Sequence, residues 1–189
     1  VHSAGELEGQ TTYRLYITTP HNDDFLSAVF GDDNYPLHIS STTSFYQNVV
    51  GSVLGSNMNP LFYSNFPELE YDSWVTIGLD EGAGAGETNP QFIESTNVSW
   101  VTPFEAGGNL YIDDSVGGSW FVLDPSATNN AYPDANQRIL VAQLTTDGNP
   151  AGTIHAQFFN HGNQNDISRI ELSFDGLTGT YPLMCGCTD

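Results

Sequence analysis

The chain has 189 residues, with 23 aspartates and glutamates against three arginines and no lysine, which gives a formal net charge of −20. Such a charge repels nucleic acids and anionic membrane surfaces, so both are excluded as partners. Without lysine there is also no Schiff-base chemistry and no P-loop. The length fits one domain that can bury a core without metals or disulfides.

No stretch approaches the ~18 consecutive apolar residues of a membrane-spanning helix, so membrane insertion is not expected. The first residues lack a signal-peptide pattern, and we expect the numbering to begin at or after a processing site. The acidic surface favours a soluble protein that is secreted and attracts divalent cations.

Short segments in which apolar and polar side chains alternate are predicted to be strands, because successive side chains of a strand point to opposite faces. They are separated by turns rich in Gly, Pro, Asn and Asp. In chain order the extended segments are 11–19, 25–30, 36–41, 44–50, 67–80, 91–95, 109–113, 119–123, 138–146, 153–159 and 169–174.

This pattern predicts an all-β fold, an antiparallel and jelly-roll-like sandwich of about ten short strands. Residues 1–10 form an irregular N-terminal segment, residues 11–182 a single domain, and residues 183–189 a tail that leads to a further module. Segments 138–146 and 153–159 alternate on either side of Asp147-Gly148-Asn149-Pro150, which predicts a β-hairpin.

The longest alternating run is Pro67–Asp80, predicted to be a half-buried strand. Its predicted inner face carries Leu69, Tyr71, Val75 and Ile77. Its predicted outer face carries Glu68, Glu70, Asp72 and Trp74.

Three interpretations of that outer face remain open: a solvated surface, a sugar-binding face with Trp74 as a stacking platform, and a glycosidase site. Jelly-roll glycosidases with an E-x-D-x-E strand place two carboxylates in this way. The order here is Glu-Leu-Glu-Tyr-Asp, which departs from that motif at two positions.

Clusters of Asp and Asn in the predicted turns are candidate structural calcium sites, since calcium binds six to eight oxygen ligands. No EF-hand spacing occurs, and turn formation by Asp and Asn is the alternative explanation for each cluster. No other cofactor is expected. The candidate calcium ligands are Asp23, Asp24, Asp32, Asp33, Asp80 and Asp113.

The only two cysteines, Cys185 and Cys187, are separated by one residue. A disulfide needs a specific Cα separation and side-chain direction, so such neighbours pair poorly with each other. We expect them to pair with cysteines in a following module or another subunit; two free thiols are the alternative.

The tail Gly186-Cys187-Thr188-Asp189 resembles the opening of an acidic, Cys-rich repeat of secreted proteins from aquatic Bacteroidota. Segments 12–16, 71–78 and 144–148 resemble parts of an uncharacterised extracellular module that precedes such repeats. This resemblance implies secretion and a multidomain parent, and it implies no reaction.

Two glycosylation signals are present. Asn97-Val98-Ser99 is an N-x-S sequon. Asp114-Ser115-Val116 resembles the acceptor on which Bacteroidota build O-glycans, and the resemblance of the chain favours Ser115 over Asn97.

No catalytic constellation is recognised, so we expect a non-enzymatic extracellular module that is structural or adhesive. The subunit of a cell-surface appendage or filament is the favoured form, with Val1–Thr19 available to pair with a neighbour's sheet edge. The alternative is a carbohydrate-binding module that stacks sugars on Trp74, Trp100 or Trp120, and a jelly-roll glycosidase comes third.

Overall fold

The computed structural model describes residues 1–96 and 98–180, and strands dominate its regular structure. Within these ranges there is one helix, α1 (Val101–Glu105), and five short 3-10 helices. The strands are β1 (Thr11–Thr18), β2 (Phe25–Gly31), β3 (Leu37–Ser41), β4 (Trp74–Val75), β5 (Gln91–Ile93), β6 (Leu110–Ile112), β7 (Gly118–Phe121), β8 (Arg138–Thr146), β9 (Pro150–Phe159), β10 (Ile167–Asp175) and β11 (Thr178–Thr180).

The strands form two antiparallel sheets, which confirms the predicted all-β sandwich. The small sheet has the order β1-β8-β4, and the other eight strands form the large sheet. β9 is a central strand of the large sheet. It pairs with β10 along one side, and along the other side with β2 and then β3.

The main core lies between the two sheets, where the apolar side chains that alternate along each strand meet. Full burial of one such side chain stabilises the fold by roughly 1.5–3 kcal/mol. The small-sheet segments contribute Ile17, Val75, Ile77, Ile139 and Val141, and the large sheet contributes Leu26, Val29, Ile39, Trp120, Ile154 and Ala156.

β8 is buried on both faces, unlike an ordinary sandwich strand. Its outer face is covered by a second apolar cluster, in which Met58, Leu69 and Trp74 pack on Leu140. Gln143 lies on the same covered face, against the covering segment, and is 2% exposed. The segment between β3 and β4 therefore acts as a third layer over the small sheet.

The predicted hairpin between residues 138–146 and 153–159 is wrong. The two segments are strands, β8 and β9, but they belong to different sheets. The chain turns a corner at Gly148, whose N–H donates to Thr146 Oγ1, and that hydroxyl in turn donates to Ser44 O. Alternating strands on both sides of a turn occur in a hairpin, where the strands pair, and also at a corner, where the chain passes from one sheet to the other. The sequence pattern does not distinguish the two.

The predicted strand Pro67–Asp80 is also wrong in its first half. Pro67–Tyr71 is a 3-10 helix that starts at the proline, whose fixed φ suits a helical first turn. Only Trp74–Val75 pairs as a strand, with β8. Residues 44–50, predicted to be extended, form no strand in the structure.

Residues 1–10 contain no strand, as predicted, but they fold back on themselves and pack on the domain. His2 and Gln10 are joined by a backbone hydrogen bond of 2.8 Å, and Leu7 is buried. The predicted domain end and tail, residues 181–189, lie outside the described residues.

Gln143 links the small sheet to its covering layer. Its Nε2 donates to Glu70 O at 3.0 Å and to Asp72 O at 2.9 Å, and its Oε1 accepts a hydrogen bond from Arg14 Nε at 3.1 Å. The side chain thereby holds the end of the 3-10 helix against β8.

We therefore expect Gln143→Leu to lower the free energy of unfolding by about 2–4 kcal/mol, because two carbonyl groups lose their donor in a buried place. Urea denaturation measures this, with Gln91→Leu on exposed β5 as the matched control, expected to change stability by no more than about 0.5 kcal/mol. Equal losses in the two variants would contradict this role of Gln143.

Candidate functional site

The predicted outer face of residues 67–80 does not exist as one surface. Glu70 is exposed and Glu68 half-buried on the 3-10 helix, whereas Asp72 and Trp74 are 0% and 2% exposed. The alternating pattern correctly places Trp74 and Val75 on opposite faces of the strand. However, the face that carries Trp74 is covered by the second apolar cluster. The strand geometry of an E-x-D-x-E site is therefore absent from this segment.

Asp72 instead organises a loop. Its Oδ1 accepts a hydrogen bond from Asn48 N–H at 2.7 Å, and its Oδ2 accepts one from Ser52 N–H at 3.3 Å. Gly51 packs so tightly on this carboxyl that any Cβ there would collide with Oδ2. Burial raises the pKa of Asp72 to about 7, and the charge of Glu105 adds to the rise, although the backbone donors oppose it.

None of the three tryptophans presents a face to solvent. Trp74, Trp100 and Trp120 are all buried, and the indole N–H groups of Trp100 and Trp120 donate to Ile93 O and Thr76 O. The prediction that they serve as sugar-stacking platforms is wrong, because each one fills an apolar cluster.

A polar cleft of about 410 Å³ lies between the N-terminal segment, the residues that follow β3, and the end of α1. This volume is within the range of small-ligand sites, ~300–1,000 Å³. Its polar lining includes Glu6, Gln10, Tyr46, Gln47, Glu105 and Asp147.

Gln47 is the unusual member of this lining. Its Nε2 is buried and has no hydrogen-bond partner within the part of the chain that the structure describes. A buried donor without an acceptor costs about 1–3 kcal/mol. Gln47 also lines the cleft, so this amide is the group there that lacks a partner.

Three large apolar side chains are exposed on one turn between β3 and β4, which we call the apolar turn (residues 60–67). Its side chains Leu61, Phe62 and Phe66 are 81%, 51% and 47% exposed. The backbone is fixed by hydrogen bonds of 2.9 Å from Phe66 N–H to Phe62 O and 3.0 Å from Leu61 N–H to Asn59 Oδ1. Half-buried Tyr63 anchors the turn on the second apolar cluster.

The apolar turn lies in a stretch that carries no formal charge. No Asp, Glu or Arg occurs between Asp33 and Glu68, although the whole chain carries 23 acidic residues. This gap in the charge pattern is a sequence signal that points to the apolar turn, and strand periodicity does not reveal it.

Most of the candidate calcium ligands are turn formers or ion-pair partners. Asp32 Oδ1 accepts the N–H groups of Asn34 and Tyr35, and Asp80 pairs with Arg14 at 2.9 Å. Asp33 accepts from the Asn34 side chain, and Asp113 is exposed.

Asp23 and Asp24 differ from the other candidates, because the structure brings them together with His161. One ligand atom from each of the three residues lies within 4.8 Å of the others. The hydrogen bond with Asp23 raises the pKa of His161, and the same bond lowers the pKa of Asp23. His161 follows Asp23 by 138 positions, so no spacing pattern in the sequence groups the two residues.

Of the two predicted glycosylation sites, the structure describes Ser115. Ser115 is exposed in the turn between β6 and β7, where a glycan would find room. Asn97, Cys185 and Cys187 lie outside the described residues.

Comparison with protein-family models, with curated proteins and with solved structures finds no match for this chain. Within residues 1–96 and 98–180, no helix has the length and apolar character needed to cross a membrane.

The raised pKa of Asp72 predicts that the free energy of unfolding depends on pH. Its folded pKa of about 7 exceeds the ordinary value of 3.8, so the neutral carboxyl stabilises the fold fully below about pH 4. This contribution is lost as the pH rises through about 7, and a shift of this size corresponds to a free energy on the order of 4 kcal/mol.

Urea denaturation between pH 4.5 and 8 measures this loss. We expect Asp72→Asn, which has no proton to lose, to flatten the curve, and Glu70→Gln on the exposed helix to leave its slope unchanged. Parallel curves for wild type and Asp72→Asn would show that Asp72 does not titrate in this range.

Proposed function

We propose that this chain is a non-enzymatic extracellular module, structural or adhesive, which associates with copies of itself as the subunit of a surface appendage or filament. The observation that carries this proposal is the apolar turn. Leu61, Phe62 and Phe66 are held in solvent by a backbone that is fixed by hydrogen bonds and anchored on a buried cluster. Exposed apolar side chains on rigid supports are typical of protein interaction sites.

Electrostatics favours a second copy of the chain as the occupant of this turn. Two subunits of charge −20 repel one another, so they can meet most closely where neither surface carries acids. The charge-free stretch between Asp33 and Glu68 contains the apolar turn, so the acids near the turn belong to neighbouring segments, among them Glu70, Asp80 and Glu81.

β1 supports assembly by a second route. It is a terminal strand of the small sheet and pairs with β8 alone among the strands of the described residues. Its Tyr13 and Leu15 are only half-buried against the core. Terminal strands of this kind can accept a strand from a neighbour.

The apolar turn makes the assembly testable by sedimentation and electron microscopy. We expect wild type to associate with rising concentration, and more strongly at high salt, because salt screens the repulsion between acidic subunits. Leu61→Ser combined with Phe62→Ser should leave the chain monomeric at concentrations where wild type associates.

Leu177→Ser is the control, since Leu177 is 91% exposed in the turn between β10 and β11. A wild type that stays monomeric at every salt concentration, with no ordered assembly in micrographs, would refute the proposal. Loss of association in the Leu177 variant alone would show that the contact between subunits involves Leu177 and not the apolar turn.

A carbohydrate-binding module is the second candidate, and the polar cleft with its unsatisfied Gln47 Nε2 favours it. On a glycan array we expect any bound sugar to be lost in Gln47→Leu, which removes the donor, and to be retained in Glu70→Gln. The opposite pattern would place sugar binding on the exposed 3-10 helix, and no binding by wild type would remove this candidate.

A further inference from the structure

Two loops from opposite ends of the chain meet beside Asp24. The first, residues 19–24, connects β1 of the small sheet to β2 of the large sheet. The second contains the 3-10 helix Asn160–Gly162 and connects β9 to β10. His161 reaches across from the second loop, and its Nδ1 lies 2.8 Å from Asp23 Oδ1.

The donor atoms at this meeting point include nitrogen as well as oxygen. His161, Asp23 and Asp24 each offer one ligand atom within 4.8 Å of the other two. The ring of His21 lies next to that of His161, with 4.8 Å between their centroids. Calcium prefers oxygen ligands alone, whereas zinc and its first-row neighbours bind imidazole together with carboxylate.

The spacing suits a small ion. Tetrahedral ligands ~2.0–2.1 Å from zinc lie ~3.4 Å from one another. The observed spacing runs from the 2.8 Å hydrogen bond between His161 and Asp23 to the 4.8 Å limit of the group. For an ion that replaced the proton of that hydrogen bond, the contact between His161 and Asp23 would have to lengthen by about 0.6 Å, and a pair at the 4.8 Å limit would have to shorten by about 1.4 Å.

Asp24 provides an independent reason to expect a cation. It is only 6% exposed, and its Oδ1 accepts a hydrogen bond of 3.2 Å from His161 N–H. A buried carboxylate is costly unless it is paired or binds a metal, and no arginine of the described chain pairs with Asp24.

The backbone holds His161 in position for this role. Its φ of 51° is in the left-handed region, which a residue with a side chain adopts at a cost. Gly162 follows with φ of 68° and packs against the Tyr132 hydroxyl, where a Cβ would come within 2.7 Å. This backbone directs the exposed imidazole towards Asp23, with which it forms its hydrogen bond.

We propose that Asp23, Asp24 and His161 bind a divalent transition-metal ion of the zinc class, beside the ring of His21. The ion would connect the loop between β1 and β2 to the loop between β9 and β10. The first of these loops crosses from the small sheet to the large sheet, so the ion would hold this crossing against the large sheet. This site is separate from the apolar turn and the polar cleft, and it differs in metal class from the calcium expected at Asp23 and Asp24.

The test is titration of the metal-free full chain with zinc chloride and with calcium chloride, followed by calorimetry and by the melting temperature. We expect one zinc ion per chain and a melting temperature that rises by a few degrees at saturation. Calcium should bind at least about tenfold more weakly than zinc, because one ligand is nitrogen. Cobalt(II) at the same site should give the visible absorption of a nitrogen-ligated ion.

His161→Asn and Asp23→Asn remove one ligand each, and asparagine tolerates the left-handed conformation of position 161. Each should weaken zinc binding at least about tenfold. His38→Asn and Asp134→Asn are the matched controls, since they remove a histidine and an ion-paired aspartate elsewhere, and they should bind zinc as wild type does.

Three results would overturn the proposal: no saturable zinc binding, calcium binding as tight as zinc binding, or unchanged zinc binding in His161→Asn. Unchanged binding in that variant would indicate adventitious coordination by the other histidines or by the thiolates of Cys185 and Cys187. If His161→Asn fails to fold, as judged by its circular dichroism without metal, the variant of exposed Asp23 decides the question.

Discussion

The structure depends on the burial of both faces of β8. One face carries Ile139 and Val141 into the main core, and the other carries Leu140 and Gln143 against the segment that connects β3 to β4. A strand with two apolar faces must be covered twice, so this sandwich needs a third layer that contains little regular structure. That layer buries Trp74 and Asp72, and it holds the apolar turn in solvent on its far side.

Strand positions were largely predictable, because alternation is a local property that the sequence records directly. β1, β2, β3 and β10 fall where the pattern predicts them. The alternation at residues 67–80 misled for a definite reason: a period of two says which side chains share a face, but not whether another segment covers that face. The corner at Gly148 was missed because strand pairing depends on packing with β1 and β4, which are far away in sequence.

Site residues were less predictable for the same physical reason. Turn-forming aspartates such as Asp32 accept hydrogen bonds from nearby backbone N–H groups, as the preference of Asp for turns predicts. The grouping of His161 with Asp23 depends on two loops that only the tertiary fold brings together. The unsatisfied amide of Gln47 depends on burial that has no sequence signature. The charge-free stretch between Asp33 and Glu68 was visible in the sequence and marks the apolar turn.

The connection of β8 to distant partners also has a kinetic consequence. Thr12 of β1 touches Thr145 of β8 across 133 positions of the chain, so the small sheet cannot assemble until nearly the whole domain is available. Closing a loop of this length costs chain entropy before any contact compensates for it, and such topologies fold slowly. During synthesis β1 therefore stays without its partner until β8 has emerged, when only β9, β10 and β11 of the described strands are still to come.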